Sequence, residues 1–199
     1  MKKIALITIN YNRGKITHEF LKSVAKLKNT PDYSIGIFVI DNGSKEIFKL
    51  TKDEKELGNI KVLHIQDNLG FTGGNNTGFK YALKNKYDYI MILNNDTEAD
   101  KNLVKNLFTA AEKNPRLGLL GPKIYFTAGN EYHKDRYKKS DLGKVFWYAG
   151  GFMDWANIMS THRGVDEVDH GQYDKQQDVE FVSGCCMFMR REVLEIVGL

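Results

Sequence analysis

Four apolar runs in the first half of the chain each end in asparagine or aspartate, and this repetition narrows the fold more than any other feature. Residues 4–9 (Ile4-Ala5-Leu6-Ile7-Thr8-Ile9) lead into Asn10-Tyr11-Asn12, and residues 35–40 into Asp41-Asn42-Gly43-Ser44. Residues 60–65 lead into Asp67-Asn68, and residues 89–93 into Asn94-Asn95-Asp96. Near-continuous apolar runs of this length fit strands covered on both faces. Between them, Ile16, Phe20, Leu21, Val24 and Leu27 recur at helical spacing until Pro31 breaks the pattern. Further helices are predicted from about Asn75 to Asn85, and over Leu103, Val104, Leu107, Phe108 and Ala111 up to Asn114-Pro115. This order predicts an α/β fold with a mainly parallel central sheet flanked by helices. Ligands of such sheets sit beyond the carboxyl ends of the strands. Four polar strand ends on one rim therefore predict a shared site better than four unrelated turns.

Strands and helices alternate through residue 126, and from 127 to about 177 regular patterning fades. Residues 117–126 read as one more strand, residues 181–189 as a buried strand, and residues 191–197 as a helix. Residues 127–177 are polar and aromatic and read either as a binding loop or as a set of short strands. The chain has 199 residues, which suits one domain. Its 29 basic and 25 acidic residues leave a formal charge of +4, too mild to argue for nucleic acid without a motif. Lys134, Arg136, Lys138 and Lys139 read as a solvated face, with anionic lipid or phosphate as the alternatives. Cys185 and Cys186 are adjacent, so a bond between them would be strained, and they read as buried thiols in a reducing compartment. The N-terminal apolar run is too short for a signal peptide, and no stretch has 18 consecutive apolar residues. A cytoplasmic chain is expected, with peripheral membrane attachment left open.

Three segments carry chemistry. In Leu93-Asn94-Asn95-Asp96, an acid at a strand mouth can hold Mg²⁺ or Mn²⁺ against a diphosphate, the phosphates completing the shell. A helix cap is the alternative for Asp96 or Asp100. In the stretch from Asn68 to Gly78, glycines permit close approach to a ligand, and the following helix start would face negative charge. The stretch is neither a P-loop nor a dinucleotide fingerprint, and a purely structural loop is the alternative. In Val39-Ile40-Asp41-Asn42-Gly43-Ser44, Asp41 can accept the ring N–H of uracil or thymine while Tyr11 stacks on the ring; a turn aspartate and a surface tyrosine is the plainer reading.

Taken together, Thr8-Ile9-Asn10-Tyr11-Asn12-Arg13, Val39 to Ser44, Asn68 to Gly78, and Leu93 to Thr97 resemble the family-2 glycosyltransferases, especially their rhamnosyltransferase-like branch. Phe181-Val182-Ser183-Gly184 and Met189 to Leu194 add to the likeness. The resemblance implies the GT-A nucleotide-diphospho-sugar transferase fold. Residues 1–126 would form the donor-binding half, and 127–199 the start of an acceptor-side half. It implies that Tyr11 and Asp41 hold the base, that Thr8 belongs to the donor site, that Asn68, Gly74 and Asn75 line the donor pocket, and that Asn95 lies near ribose and diphosphate. Asp96 would be the metal ligand. Many relatives carry two aspartates at this motif, whereas Asn94 and Asn95 here precede a lone Asp96. The catalytic base of the family falls beyond Leu199, so the chain reads as C-terminally truncated. Asp166, Glu167, Asp169, Asp178 and Glu180 read as loop acids, and His162-Arg163-Gly164 as a plain loop more readily than a phosphate clamp. The implied reaction is inverting transfer from a UDP- or dTDP-sugar to a saccharide or lipid-linked acceptor. A nucleotide-sugar-binding module without catalysis is the alternative. A sugar-nucleotide pyrophosphorylase fits less well, because it wants a glycine- and arginine-rich loop where Asn10 to Gly14 stands.

Overall fold

The computed structural model describes residues 1–28 and 30–199. They form two compact units, one of residues 1–120 with 184–199 and one of residues 121–183. The last sixteen residues belong with the first unit.

The first unit begins with β1 (Lys2–Asn10), α1 (Gly14–Val24), β2 (Tyr33–Asn42), α2 (Lys52–Glu56) and β3 (Ile60–Ile65). It continues with α3 (Gly70–Lys84), β4 (Tyr89–Leu93), α4 (Leu103–Lys113) and β5 (Leu119–Leu120). The second unit holds β6 (Ile124–Tyr125), β7 (Phe146–Tyr148), β8 (Gly151–Asp154) and β9 (Met159–His162), and the chain returns to the first as β10 (Cys186–Arg190) and α5 (Arg191–Val197). The six-stranded sheet runs β3-β2-β1-β4-β10-β5. Its first four strands are parallel, and β10 is antiparallel to both of its neighbours. The mainly parallel sheet read from sequence is therefore present. Strand order reverses at β1, with β2 on one side and β4 on the other, so the ligand crevice of such a sheet opens at the ends of β1 and β4.

The sheet buries both faces. Ala5, Ile7, Phe38, Ile40, Ile90 and Ile92 share one core cluster, which Phe79 and Leu83 of α3 flank. Thr17, Phe20, Leu21 and Val24 are the buried stripe of α1, at the three-and-four spacing of an amphipathic helix. Helix α2 starts with a capping box in which Thr51 and Glu54 satisfy each other's backbone N–H, a Thr-x-x-Glu signal legible in the sequence but not read there.

Three expectations need correction. The Asn68–Gly78 stretch is not mainly loop: α3 starts at Gly70, some five residues before the predicted start. Each helical glycine costs about 1 kcal/mol against alanine, which is why the sequence argues for a loop. Here the missing side chains let α3 press onto β1: a Cβ on Gly74 would stand 2.9 Å from Ile9 Cδ1, and one on Gly78 2.6 Å from Ile7 Cγ2. Close packing overrides propensity. The strand expected over 117–126 is two, β5 and β6, in different sheets, with Gly121-Pro122 between them. The strand expected from Phe181 begins only at Cys186, and residues 127–177 contain short strands.

In the second unit, β6 pairs with β7 and β8 with β9. Lys123 donates to Asp169 at 2.8 Å and to Asp174 at 2.6 Å. Burial tends to raise the Asp169 carboxyl, but the hydrogen bonds from Lys123, Tyr125 and the Gly171 N–H prevail and bring it down to about 2.

Gly78→Ala is expected to lower the unfolding free energy by about 1–3 kcal/mol through overpacking against Ile7, in spite of the better helix former. Urea denaturation measures this, and a variant at least as stable as the parent would contradict close packing as the reason for that glycine.

Candidate functional site

Successive strand residues point to opposite faces, so the adjacent Asp41 and Asn42 at the end of β2 serve different sides of the sheet. Each organises its own cluster.

On the α1 face, Asn10, Asp41 and His64 lie level across β1, β2 and β3. Asn10 Nδ2 donates to Asp41 Oδ1 at 2.9 Å and to Ser44 Oγ at 3.1 Å. The Phe48 N–H donates to Asp41 Oδ2 at 2.9 Å, and His64 Nδ1 lies 3.1 Å from the same oxygen. Thr17 Oγ1 on α1 donates to Asn10 Oδ1 at 2.8 Å, and Asn95 Nδ2 donates to Thr17 Oγ1 at 2.8 Å. A continuous polar chain thus runs from the end of β2 to the end of β4 across the reversal in strand order. Asn12, at φ +55, ties the neighbouring loops: its N–H donates to Ser44 Oγ at 2.9 Å and its Oδ1 accepts from the Lys45 N–H at 2.8 Å. A cleft of about 890 Å³ opens beside this chain, lined by Asn10, Asn12, Lys15, His18, Lys45 and Phe48 among others.

On the α3 face, Asn42 Nδ2 donates to Asn68 Oδ1 at 2.9 Å and to the Gly70 carbonyl at 3.0 Å, while Asn42 Oδ1 accepts from the Leu69 N–H at 3.1 Å. Asn68 Oδ1 also accepts from the Gly70 N–H at 2.9 Å. These bonds fix the start of α3 at the rim, where its first turn turns partial positive charge outward.

The residues singled out from sequence distribute as follows. Asp41 and Asn95 are joined through Asn10 and Thr17, and Asn68 is joined to Asn42. Gly74 lies against Ile9 and Asn42, which gives it a packing reason. Asn75 is buried, and its Nδ2 donates to the Phe71 carbonyl at 3.0 Å. Thr8, two residues before Asn10, is 1% exposed, and its hydroxyl has no hydrogen-bond partner among the described residues. Tyr11 is 45% exposed at the rim, as a ring stacked on a ligand base would need. Asp96 is exposed next to Asn95. Burial pushes the Cys185 thiol up to about 11, with the Asp96 charge adding to it.

Sequence reasoning missed Thr17, His64 and the Phe48 N–H. Only Thr17 had a usable signal, a hydroxyl among the largely apolar buried residues of α1.

Among the described residues no three His, Cys, Asp or Glu side chains gather as a cation site. A lone exposed carboxylate beside two carboxamides still fits Mg²⁺, which uses one or two carboxylates and takes its remaining ligands from substrate phosphates and water.

The model of glycosyl transferase family 2 matches residues 5–198. The chain belongs to this family. Among curated relatives, it is 29% identical over 144 residues to a poly-beta-1,6-N-acetyl-D-glucosamine synthase of Staphylococcus epidermidis, covering 71% of this chain and 31% of that one. It is 24% identical over 204 residues to an N-acetylglucosaminyl-diphospho-decaprenol L-rhamnosyltransferase of Mycobacterium tuberculosis, covering 98% of this chain and 64% of that one. The family-2 chain thus spans between 31% and 64% of the length of these relatives. A mannosyltransferase from Pyrobaculum calidifontis, solved with GDP-Man and Mn²⁺, superposes with a TM-score of 0.57 at 14% identity, over 98% of this chain and 46% of that one. TarS of S. aureus, solved with UDP, gives 0.54 at 21% identity over 62% of this chain and 36% of that one. These likenesses establish the GT-A fold.

Burial tends to raise the Asp41 carboxyl, but hydrogen bonds from Ser44, the Phe48 N–H, Asn10 and His64 outweigh it and hold it below the usual carboxylate range. The native pKa is thus lower than the unfolded value of about 3.9. The stability this group contributes is complete above the unfolded value and is lost as pH falls through the native one. Asp41→Asn is expected to be less stable than the parent at pH 7, with the gap narrowing below about pH 4. A gap independent of pH in acid denaturation curves would contradict the charged network.

Proposed function

We propose that this chain binds a nucleotide-diphosphate sugar, a UDP- or dTDP-sugar, across the rim of its central sheet and passes the sugar to a saccharide or lipid-linked acceptor with inversion. The observation that carries this reading is the polar chain Asp41–Asn10–Thr17–Asn95, which joins a carboxylate at the β2 end to the Asn95-Asp96 pair at the β4 end. In this scheme Tyr11 stacks on the base, and Asp41 addresses a ring N–H. The family relatives and the UDP- and GDP-Man-bound neighbours support the donor class.

Asn95 lies beside ribose and diphosphate, and Asp96 would hold Mg²⁺ or Mn²⁺. When bound, that cation supplies positive charge for the departing diphosphate. The start of α3, fixed by Asn42 and Asn68, adds partial positive charge at the same rim. Thr8 lies beneath the nucleoside, and Asn68, Gly74 and Asn75 form the wall on the α3 side. An acceptor hydroxyl attacks the anomeric carbon, and a carboxylate takes its proton.

Among the described residues, no helix is long and apolar enough to cross a membrane. In this scheme the chain works in the cytoplasm, where it would meet a lipid-linked acceptor at the membrane face.

Thermal shift with UDP and dTDP, with and without Mn²⁺, tests the reading. At one hundred times Kd, a ligand adds about 2.7 kcal/mol, roughly 5–10 °C of Tm for a chain of this size. Asp96→Ala is expected to abolish the Mn²⁺-dependent part and keep the rest. Failure of both nucleotides to raise Tm, or an unchanged metal response in Asp96→Ala, would overturn the assignment. Binding without transfer or hydrolysis of the sugar would favour a donor-binding module.

A further inference from the structure

We infer that Thr17 and Asn10 are positioning residues, which set the Asn95 carboxamide against the donor and tie its orientation to the Asp41 charge. The inference rests on the donor site proposed above and goes beyond it, because neither side chain need touch the ligand.

Four bonds run in one direction. Asn95 Nδ2 donates to Thr17 Oγ1, Thr17 Oγ1 to Asn10 Oδ1, and Asn10 Nδ2 to both Asp41 Oδ1 and Ser44 Oγ. A carboxylate only accepts, so the Asn10 amide cannot be turned round without setting its own oxygen against Asp41. With that amide fixed, its Oδ1 must receive the Thr17 proton. The Thr17 hydroxyl has one proton, and Asn10 at 2.8 Å is nearer than the Arg13 carbonyl at 3.3 Å. Its lone pairs are then left for a donor, so Asn95 must present its NH₂ group to Thr17 and its carbonyl oxygen elsewhere. The Asp41 charge thereby decides, three side chains away, that Asn95 offers the donor site an acceptor. Bonds aligned toward a charge strengthen one another at low dielectric. Asn10 is 1% exposed and Thr17 0%, so water is poorly placed to substitute for either.

The chain also crosses from α1 to the β4 end by a single side chain. Removing the Thr17 hydroxyl frees the Asn95 amide to rotate, and it also leaves Asn10 Oδ1 without its donor while Asp41 still fixes the Asn10 amide. The loss of affinity should therefore act through Asn95, and the unpaired Asn10 oxygen should register in Tm.

Calorimetry on the full chain, with whichever of UDP, dTDP and GDP binds the parent most tightly, tests this. Thr17→Val is expected to weaken binding about tenfold, equivalent to about 1.4 kcal/mol, whereas Thr17→Ser stays near the parent. Asn95→Ala alone should cost a similar factor, and Thr17→Val with Asn95→Ala should cost little more than either alone. Thr17→Ala provides the same comparison where the valine variant does not fold. A Thr17→Val or Thr17→Ala variant with lowered Tm and parental affinity would show a purely structural hydroxyl and overturn the inference. So would losses that multiply toward a hundredfold in the double variant, or equal defects in Thr17→Ser and Thr17→Val. A parent chain that binds none of the three nucleotides would overturn the donor site itself, and the inference with it.

Discussion

The Asn10 carboxamide holds three partners from three parts of the chain: Asp41 at the end of β2, Ser44 in the loop that follows, and Thr17 on α1. A buried amide left unpaired is costly, about 1–3 kcal/mol for each unsatisfied group. Its pairing therefore constrains where those pieces can sit. The position is also the one at which the strand order reverses, where the sheet leaves a crevice that helices cannot fill. Burial of a polar network here, where apolar packing would be more stable, is the feature that most separates this rim from an ordinary strand edge.

The other side of the rim obeys a different constraint. Asn42 faces α3, and its amide satisfies the Leu69 N–H and the Gly70 carbonyl, fixing where that helix begins. Gly74 and Gly78 then bring the helix down onto Ile9 and Ile7. Two neighbouring residues of one strand, Asp41 and Asn42, thus position two different walls, simply because a strand alternates. The base side of the proposed donor site depends on the first, and the sugar-phosphate side on the second.

Much of the fold was legible in the sequence, because buried parallel strands and amphipathic helices leave strong patterns. β1 to β4, α1 and α4 follow those patterns, and so does the gathering of their polar ends on one rim. The start of α3 was not legible: glycine in a helix reads as a break unless the opposing strand is known, and the methyl groups of Ile7 and Ile9 that exclude a Cβ are sixty or more residues away. The split of 117–126 between two sheets was hidden for a similar reason, since an apolar run does not state its partner. Asp41, Asn68, Asn95 and Asp96 were candidates from motif alone, and the division of Asp41 and Asn42 between two faces follows from a parity that became clear only with the register. Thr17 and His64 were missed because their meaning lies in what they touch.

In the proposed donor site, the ends of β1, β2 and β4 hold one ligand with a cation beside it. Paramagnetic broadening of backbone amide signals by Mn²⁺, added to the isotope-labelled chain with UDP present, tests this directly. Signals from residues 94–97 should be lost first, together with those at 10–12 and 184–186, and the broadening should weaken when UDP is omitted. Broadening centred on another surface, such as residues 134–139, or unaffected by the nucleotide, would contradict the account.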